Sequence, residues 1–62
     1  MRIYDLKRGD KFKIDIDEDQ PETELSHILF TFEKVDGSYS ICFDETGNIE
    51  YLSAYTSVVL ED

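Results

Sequence analysis

The chain has 62 residues, and its 15 acidic side chains against six basic ones give a formal charge of −9. This length predicts a single domain over residues 1–62, because a chain of this size has material for only one small core. So negative a surface repels phosphate, which argues against direct binding to DNA, RNA or an anionic membrane.

The cellular compartment is indicated by three features that the sequence lacks: a second cysteine, a signal peptide and a long apolar run. A lone cysteine, Cys42, excludes an internal disulfide and is typical of a reducing environment. The first residues are too polar for a signal peptide, and no apolar run approaches the roughly 20 residues that cross a bilayer. We therefore expect a cytoplasmic protein.

The first predicted strand is Lys11 to Asp17, which follows a turn at residues 8–10. Polar and apolar residues alternate along it, with Phe12, Ile14 and Ile16 on one face. Such alternation is typical of a half-buried strand.

An acidic segment overlaps the end of this strand and runs from Asp15 to Glu24. It has no lysine or arginine, and Pro21 removes a backbone donor that a sheet would need. We expect a loop held out by the fold, with six candidate binding carboxylates: Asp15, Asp17, Glu18, Asp19, Glu22 and Glu24.

Residues 27–35 and 38–43 are the next two predicted strands, joined by Asp36-Gly37. This dipeptide is typical of a type I′ hairpin turn, in which both central residues have positive φ. The resulting register places Phe32 opposite Ile41 and Phe30 opposite Phe43. Together with Tyr39, these residues form the predicted core of the sheet, while Cys42 is expected to point away from it.

Asp44 to Gly47 predicts a three-residue loop that ends with glycine in a left-handed conformation. The Asp44 carboxylate suits its first position, because it can accept local backbone N–H bonds. Ile49 then lies opposite Phe43 and Tyr51 opposite Ile41, whereas a two-residue Thr46-Gly47 loop would bring Leu52 opposite Ile41.

Residues 53–55 predict one turn of 3₁₀ helix, and residues 56–60 a last strand. The order of elements resembles an SH3-like barrel over the whole chain, and residues 52–55 are similar to the Pro-Ser-Asn-Tyr turn of SH3 domains. We therefore predict an all-β, small five-stranded SH3-like barrel with a long acidic loop after the first core strand.

Three short segments of the sequence resemble segments of small uncharacterised SH3-like proteins encoded by tailed bacteriophages. They are residues 6–12 (LKRGDKF), residues 32–39 (FEKVDGSY) with the following Cys42-Phe43-Asp44, and residues 52–55 (LSAY). Short acidic phage proteins can bind host enzymes, so the resemblance implies a partner protein in the host cytoplasm.

The acidic segment fits a calcium loop poorly. Asp15, Asp17 and Asp19 match the first three ligand positions of an EF-hand, but Gln20 and Ser26 stand where glycine and a bidentate glutamate are needed. We expect no metal and no cofactor.

Catalysis is not indicated either. His27 and Cys42 are the only histidine and cysteine, and the predicted register does not pair them. Recognition of proline-rich peptides would need an aromatic groove; Tyr55 is well placed for one, but the chain has no tryptophan.

The sequence therefore predicts a non-enzymatic, acidic protein-binding module whose partner has a basic surface. Three alternatives stay open. The carboxylates, extended by Asp44, Glu45, Glu61 and Asp62, could mimic a nucleic-acid backbone and inhibit a DNA- or RNA-binding protein. A face of Leu29, Val35 and Leu52 could serve in assembly, or fold into a minor core. The acidity could also do no more than keep the domain in solution.

Overall fold

A computed structural model describes residues 1–15 and 27–61, and in these ranges the chain is all-β. A short 3₁₀ helix, Ile3–Asp5, precedes five strands: β1 (Lys11–Ile14), β2 (Phe30–Asp36), β3 (Tyr39–Phe43), β4 (Ile49–Ser53) and β5 (Val58–Glu61). Five of the six predicted binding carboxylates, all except Asp15, lie outside the described residues. No helix in the described ranges is long and apolar enough to cross a membrane.

The five strands form one antiparallel sheet in the order β4-β3-β2-β1-β5. The sheet is open, with β4 and β5 at its edges. Near the N-terminus the chain also bonds to the start of β5 and the residues before it: Ile3 N donates to Thr56 O at 3.1 Å, and Val58 N donates to Met1 O at 2.8 Å. These bonds join the first three residues of the chain to residues 56–58.

One small apolar core lies against the sheet. The rings of Phe12 and Phe30 stack with their centroids 5.6 Å apart, which joins β1 to β2. The prediction that Phe12, Phe30 and Phe32 are buried is confirmed. The buried cluster consists of Ile3, Leu6, Phe12, Phe30, Phe32, Cys42 and Val58, with Ile14, Ile28 and Leu52 packed at its margin.

The turn between β2 and β3 differs from the predicted one by one residue. Asp36 pairs with Tyr39, so the loop residues are Gly37 and Ser38. Gly37 has φ +64°, and among the described residues only glycines have positive φ. Positive φ at the first loop residue alone is the pattern of a type II′ turn, whereas the predicted type I′ turn would force it on Asp36 as well.

The predicted inner face of β3 is wrong. A β-bulge at Glu33 puts Phe32 opposite Cys42 and Lys34 opposite Ile41. Because side chains alternate between faces, one extra residue in β2 exchanges the two faces of its partner strand. Cys42 is therefore buried, whereas Tyr39, predicted as core, is 59% exposed.

The second hairpin has the predicted register, with Phe43 opposite Ile49 and Ile41 opposite Tyr51. Gly47 has φ +88°, and Asp44 N donates to Asn48 O at 3.0 Å across the three-residue loop. The Thr46-Gly47 alternative is excluded by this pairing.

Other predicted elements differ as well, and β2 begins at Phe30 and not at residue 27. Residues 53–55 form a hydrogen-bonded turn, in which Thr56 N donates to Ser53 O at 3.0 Å, and β5 begins at Val58. β1 ends at Ile14, although Asp15 N still donates to Ser57 O at 3.0 Å.

Candidate functional site

An exposed aromatic pair lies where the start of the chain meets the turn before β5. The rings of Tyr4 and Tyr55 are in edge contact, with centroids 5.9 Å apart, and are 53% and 65% exposed. Tyr4 N donates to Ala54 O at 3.1 Å, and Arg2 Nη1 donates to Tyr55 O at 2.8 Å. Sequence analysis selected Tyr55 but not its companion, because only the fold brings residues 4 and 55 together.

The acidic segment begins at Asp15, which is bonded to Ser57, two residues after Tyr55. Asp15 is exposed, and its backbone N–H donates to Ser57 O at 3.0 Å. The Ser57 hydroxyl lies 3.4 Å from Asp15 Oδ2, and Ser57 also forms a β-bridge with Arg2. The short stretch from Tyr55 to Ser57 therefore fixes both the aromatic pair and the first carboxylate of the segment.

Tyr4, Tyr55 and Asp15 offer two kinds of contact on adjoining segments. The ring faces can pack on apolar or cationic groups, and the carboxylate can pair with a base. These side chains suit the binding of another molecule through surface area and charge.

No protein-family model, curated protein or solved structure matches this chain.

Two acidic residues of the β3–β4 turn have structural partners. Asp44 Oδ1 accepts hydrogen bonds from the Thr46 hydroxyl at 2.7 Å and from the backbone N–H groups of Thr46 and Asn48 at 2.9 Å each. The bond from the Thr46 hydroxyl is the main cause that holds the pKa of Asp44 below its ordinary value of 3.8, and the backbone donors add to it. Glu45 Oε1 accepts a bond from Leu29 N at 3.0 Å.

The one thiol of the chain is shut away from solvent. Cys42 has no exposed surface, and its sulfur lies 3.5 Å from the hydroxyl oxygen of Ser40, which in turn donates to Leu52 O at 2.9 Å. Burial raises the pKa of the Cys42 thiol, against the opposing effect of the Ser40 contact. His27, by contrast, is exposed. In residues 1–15 and 27–61, no three His, Cys, Asp or Glu side chains are grouped as a metal site requires.

The predicted outer face of Leu29, Val35 and Leu52 does not form, because two of its members lie on the inner face. Ser40 pairs with Val35 on one side and with Leu52 on the other, so these two residues belong to the inner face. Leu52 packs at the margin of the core, and Val35 is 40% exposed at the end of the hairpin. For Leu52 the structure therefore supports the minor-core alternative.

The face of β3 and β4 that points away from the core is a feature that the sequence analysis missed. It carries Tyr39, Ile41 and Phe43 on β3, paired with Ser53, Tyr51 and Ile49 on β4. The Gly37-Ser38 dipeptide suits the observed type II′ turn, but that turn alone would keep Tyr39 and Ile41 on the face of Phe32, and only the bulge at Glu33 turns them outward.

Proposed function

We propose that this protein is a non-enzymatic, SH3-like protein-binding module that engages a basic segment of a partner protein. The observation that carries the proposal is the anchoring of Asp15 to Ser57, two residues after Tyr55 of the exposed pair. The acidic segment starts at Asp15, so a partner could meet its first carboxylate together with the aromatic rings. Charged groups then steer and orient the partner, and the rings add apolar contact area.

The SH3-like assignment draws support from the order of the strands. β2, β3 and β4 form a meander, and β1 pairs with both β2 and β5. The bulge at Glu33 lies just beyond the residues of β2 that pair with β1, and a bulge bends the strand that carries it. The resemblance to proteins of tailed bacteriophages adds the proposal that the partner belongs to the bacterial host and is met in its cytoplasm.

The distribution of charge supports a basic partner. Residues 14–62 contain thirteen acidic side chains and a single basic one, Lys34. Residues 1–13 contain five basic and two acidic side chains. The negative field is thus concentrated on the part of the chain that includes the acidic segment, and such a field accelerates encounter with a positive surface.

A nucleic-acid mimic and an assembly protein have less support. Asp44 and Glu45, which a mimic would use to extend its row of charges, accept hydrogen bonds within the fold. The outer face that an assembly protein would use does not form, because Val35 and Leu52 lie on the inner face and Leu52 packs at the margin of the core.

A charge-matched pair of variants tests the proposal. Immobilised protein is used to capture partners from bacterial lysate at low and at high salt, and a captured partner is then purified and titrated. We expect Asp15→Asn/Asp17→Asn to weaken binding about two- to thirtyfold at low salt, because each of the two exposed ion pairs contributes up to about 1 kcal/mol. The difference should shrink at high salt, where exposed charges are screened.

The control is Glu50→Gln/Glu61→Gln, which also removes two negative charges, but outside the acidic segment. It should reduce the affinity for the partner less than Asp15→Asn/Asp17→Asn does. Tyr55→Ala should weaken binding at both salt concentrations, since it removes contact area. Equal affinities for the chain and the Asp15→Asn/Asp17→Asn variant would contradict the proposal.

A further inference from the structure

A shallow groove lies on the outer face of the β2-β3-β4 meander. Its walls are Asp36, Tyr39, Ile41 and Tyr51, and its volume is about 320 Å³. Asp36 pairs with Tyr39, and Ile41 pairs with Tyr51, so the four side chains come from three adjacent strands and share one face. The two tyrosines are 59% and 67% exposed.

The bulge at Glu33 is the reason that these rings face outward. Without the extra residue, Phe32 would pair with Phe43, and the alternating face of Tyr39 and Ile41 would join the core. Neither Tyr4 nor Tyr55 is among the walls of the groove, although Tyr39 pairs with Ser53, two residues before Tyr55.

The groove combines three kinds of wall: two tyrosine rings, an aliphatic side chain and a carboxylate. A tyrosine ring attracts a cation over its face. An aliphatic wall suits the methylene stem of a long basic side chain. A carboxylate at the margin can form a charge-assisted pair with the head group. No basic residue lines the groove, although Lys34 lies on the same strand face, opposite Ile41.

We propose that this groove binds an arginine side chain of a partner protein. A guanidinium group is planar, stacks on aromatic rings and is more weakly hydrated than an ammonium group, which favours arginine over lysine. The stem lies along Ile41, the guanidinium stacks against a tyrosine ring, and its N–H groups donate to Asp36.

The charge of the molecule supports a partner rather than this chain as the source of the arginine. Arg8 forms an ion pair with Glu33 at 2.8 Å, and Arg2 donates to Tyr55 O at 2.8 Å. Both arginines of the chain therefore have contacts away from the groove. A net charge of −9 repels a second copy and attracts a basic segment.

NMR titrations with short peptides test the proposal. The probe is a pentapeptide with one arginine between glycines, compared with peptides in which citrulline or lysine replaces the arginine. We expect the arginine peptide to shift the backbone amides of residues 36–41 and 49–52 most strongly. Citrulline has nearly the same shape without the charge and should cause little change, and lysine should bind more weakly than arginine.

Asp36→Asn and Tyr51→Ala are the variants, and Glu61→Gln, which removes one negative charge from β5, is the control. Both groove variants alter exposed side chains outside the core, so both proteins should stay folded and their amide spectra should show this. Each should weaken binding of the arginine peptide about two- to fivefold, as expected for one exposed ion pair or one cation–π contact. Glu61→Gln should leave the affinity unchanged, which shows that the loss comes from the groove and not from the change in net charge.

Several results would overturn the proposal: no shifts at the highest peptide concentration, an equal response to citrulline, or shifts centred on Tyr55. Unchanged affinity in Asp36→Asn would also overturn it. Sedimentation supplies the last test, because dimerisation that Tyr51→Ala abolishes would show that the face binds a second copy instead.

Discussion

Asp44 organises the β3–β4 turn through one carboxylate oxygen. Its Oδ1 accepts bonds from two backbone N–H groups and from the Thr46 hydroxyl, and the Asn48 side-chain amide donates to that same hydroxyl at 3.0 Å. These bonds link residues of the loop to the Asp44 carboxylate, and they favour the ionised form of that group. The pKa of Asp44 is lowered for that reason.

This lowered pKa links the stability of the turn to pH. A carboxyl group whose pKa is lower in the folded than in the unfolded chain stabilises the fold above its unfolded pKa, here 3.8, and the stabilisation is lost as the pH falls through the folded value. We predict that Asp44→Ala is less stable than the unsubstituted chain near neutral pH, and that the gap narrows as the pH falls below about 4. Urea unfolding at a series of pH values measures this difference in stability between the variant and the unsubstituted chain. A gap that is constant or widens in acid would contradict the role of Asp44.

At the scale of the element, the β2–β3 hairpin depends on Gly37. Its φ of +64° is the conformation that L side chains rarely adopt, although a Cβ there would meet no atom within 4 Å. The cost of a side chain at this position is therefore backbone strain and not a clash.

We predict that Gly37→Ala lowers the free energy of unfolding by about 1–2 kcal/mol, as expected for one residue forced into a left-handed conformation. Ser38→Ala, next to it in the same turn, should change it by less than about 0.5 kcal/mol. Chemical denaturation followed by circular dichroism compares the two. Equal effects would show that Gly37 is not the residue that the turn depends on.

The two hairpins show which parts of the fold can be predicted from local sequence. The β3–β4 register follows from Asp44 and Gly47, which specify the turn from within it. The β2–β3 register also depends on distant contacts: Gly9 N donates to Phe32 O at 2.9 Å and Phe32 N donates to Asp10 O at 2.8 Å, just before the bulge. No pattern in residues 30–43 reports these bonds, so the inner face of β3 was assigned wrongly.

The same reason limits what could be predicted of the candidate surfaces. Asp15 and Tyr55 are recognisable by residue type and position, but Tyr4 becomes their neighbour only through the bonds of the 3₁₀ segment to residues 54–56. The groove of Tyr39 and Tyr51 was hidden because its residues fit equally well into a core. Alternation predicts which residues share a face, but not which face is buried.

At the scale of the whole molecule, stability rests on a few aromatic side chains. Phe30 is fully buried and stacked on Phe12, whereas Tyr51 is 67% exposed. A domain of this length has a total stability of only about 3–5 kcal/mol, and removing a buried phenylalanine ring costs about the same.

We therefore predict that Phe30→Ala is largely unfolded at room temperature, while Tyr39→Ala and Tyr51→Ala stay folded, within about 0.5 kcal/mol of the unsubstituted chain. Thermal unfolding followed by circular dichroism measures all three. If Tyr39→Ala were as damaging as Phe30→Ala, the core would contain Tyr39 after all, and the outer groove would not exist.

The pairing of β1 with β5 has a consequence for how the protein is made. Lys11 lies opposite Glu61 and Phe12 opposite Leu60, so this ladder joins almost the whole length of the chain. The β2-β3-β4 meander closes through short turns and can form early, whereas contacts between distant residues form slowly. On the ribosome, the core cannot be completed until β5 has emerged and Val58 has reached it. Until then the growing chain presents Phe12 and an unpaired edge of β1 to its surroundings, and folding is completed after synthesis of β5.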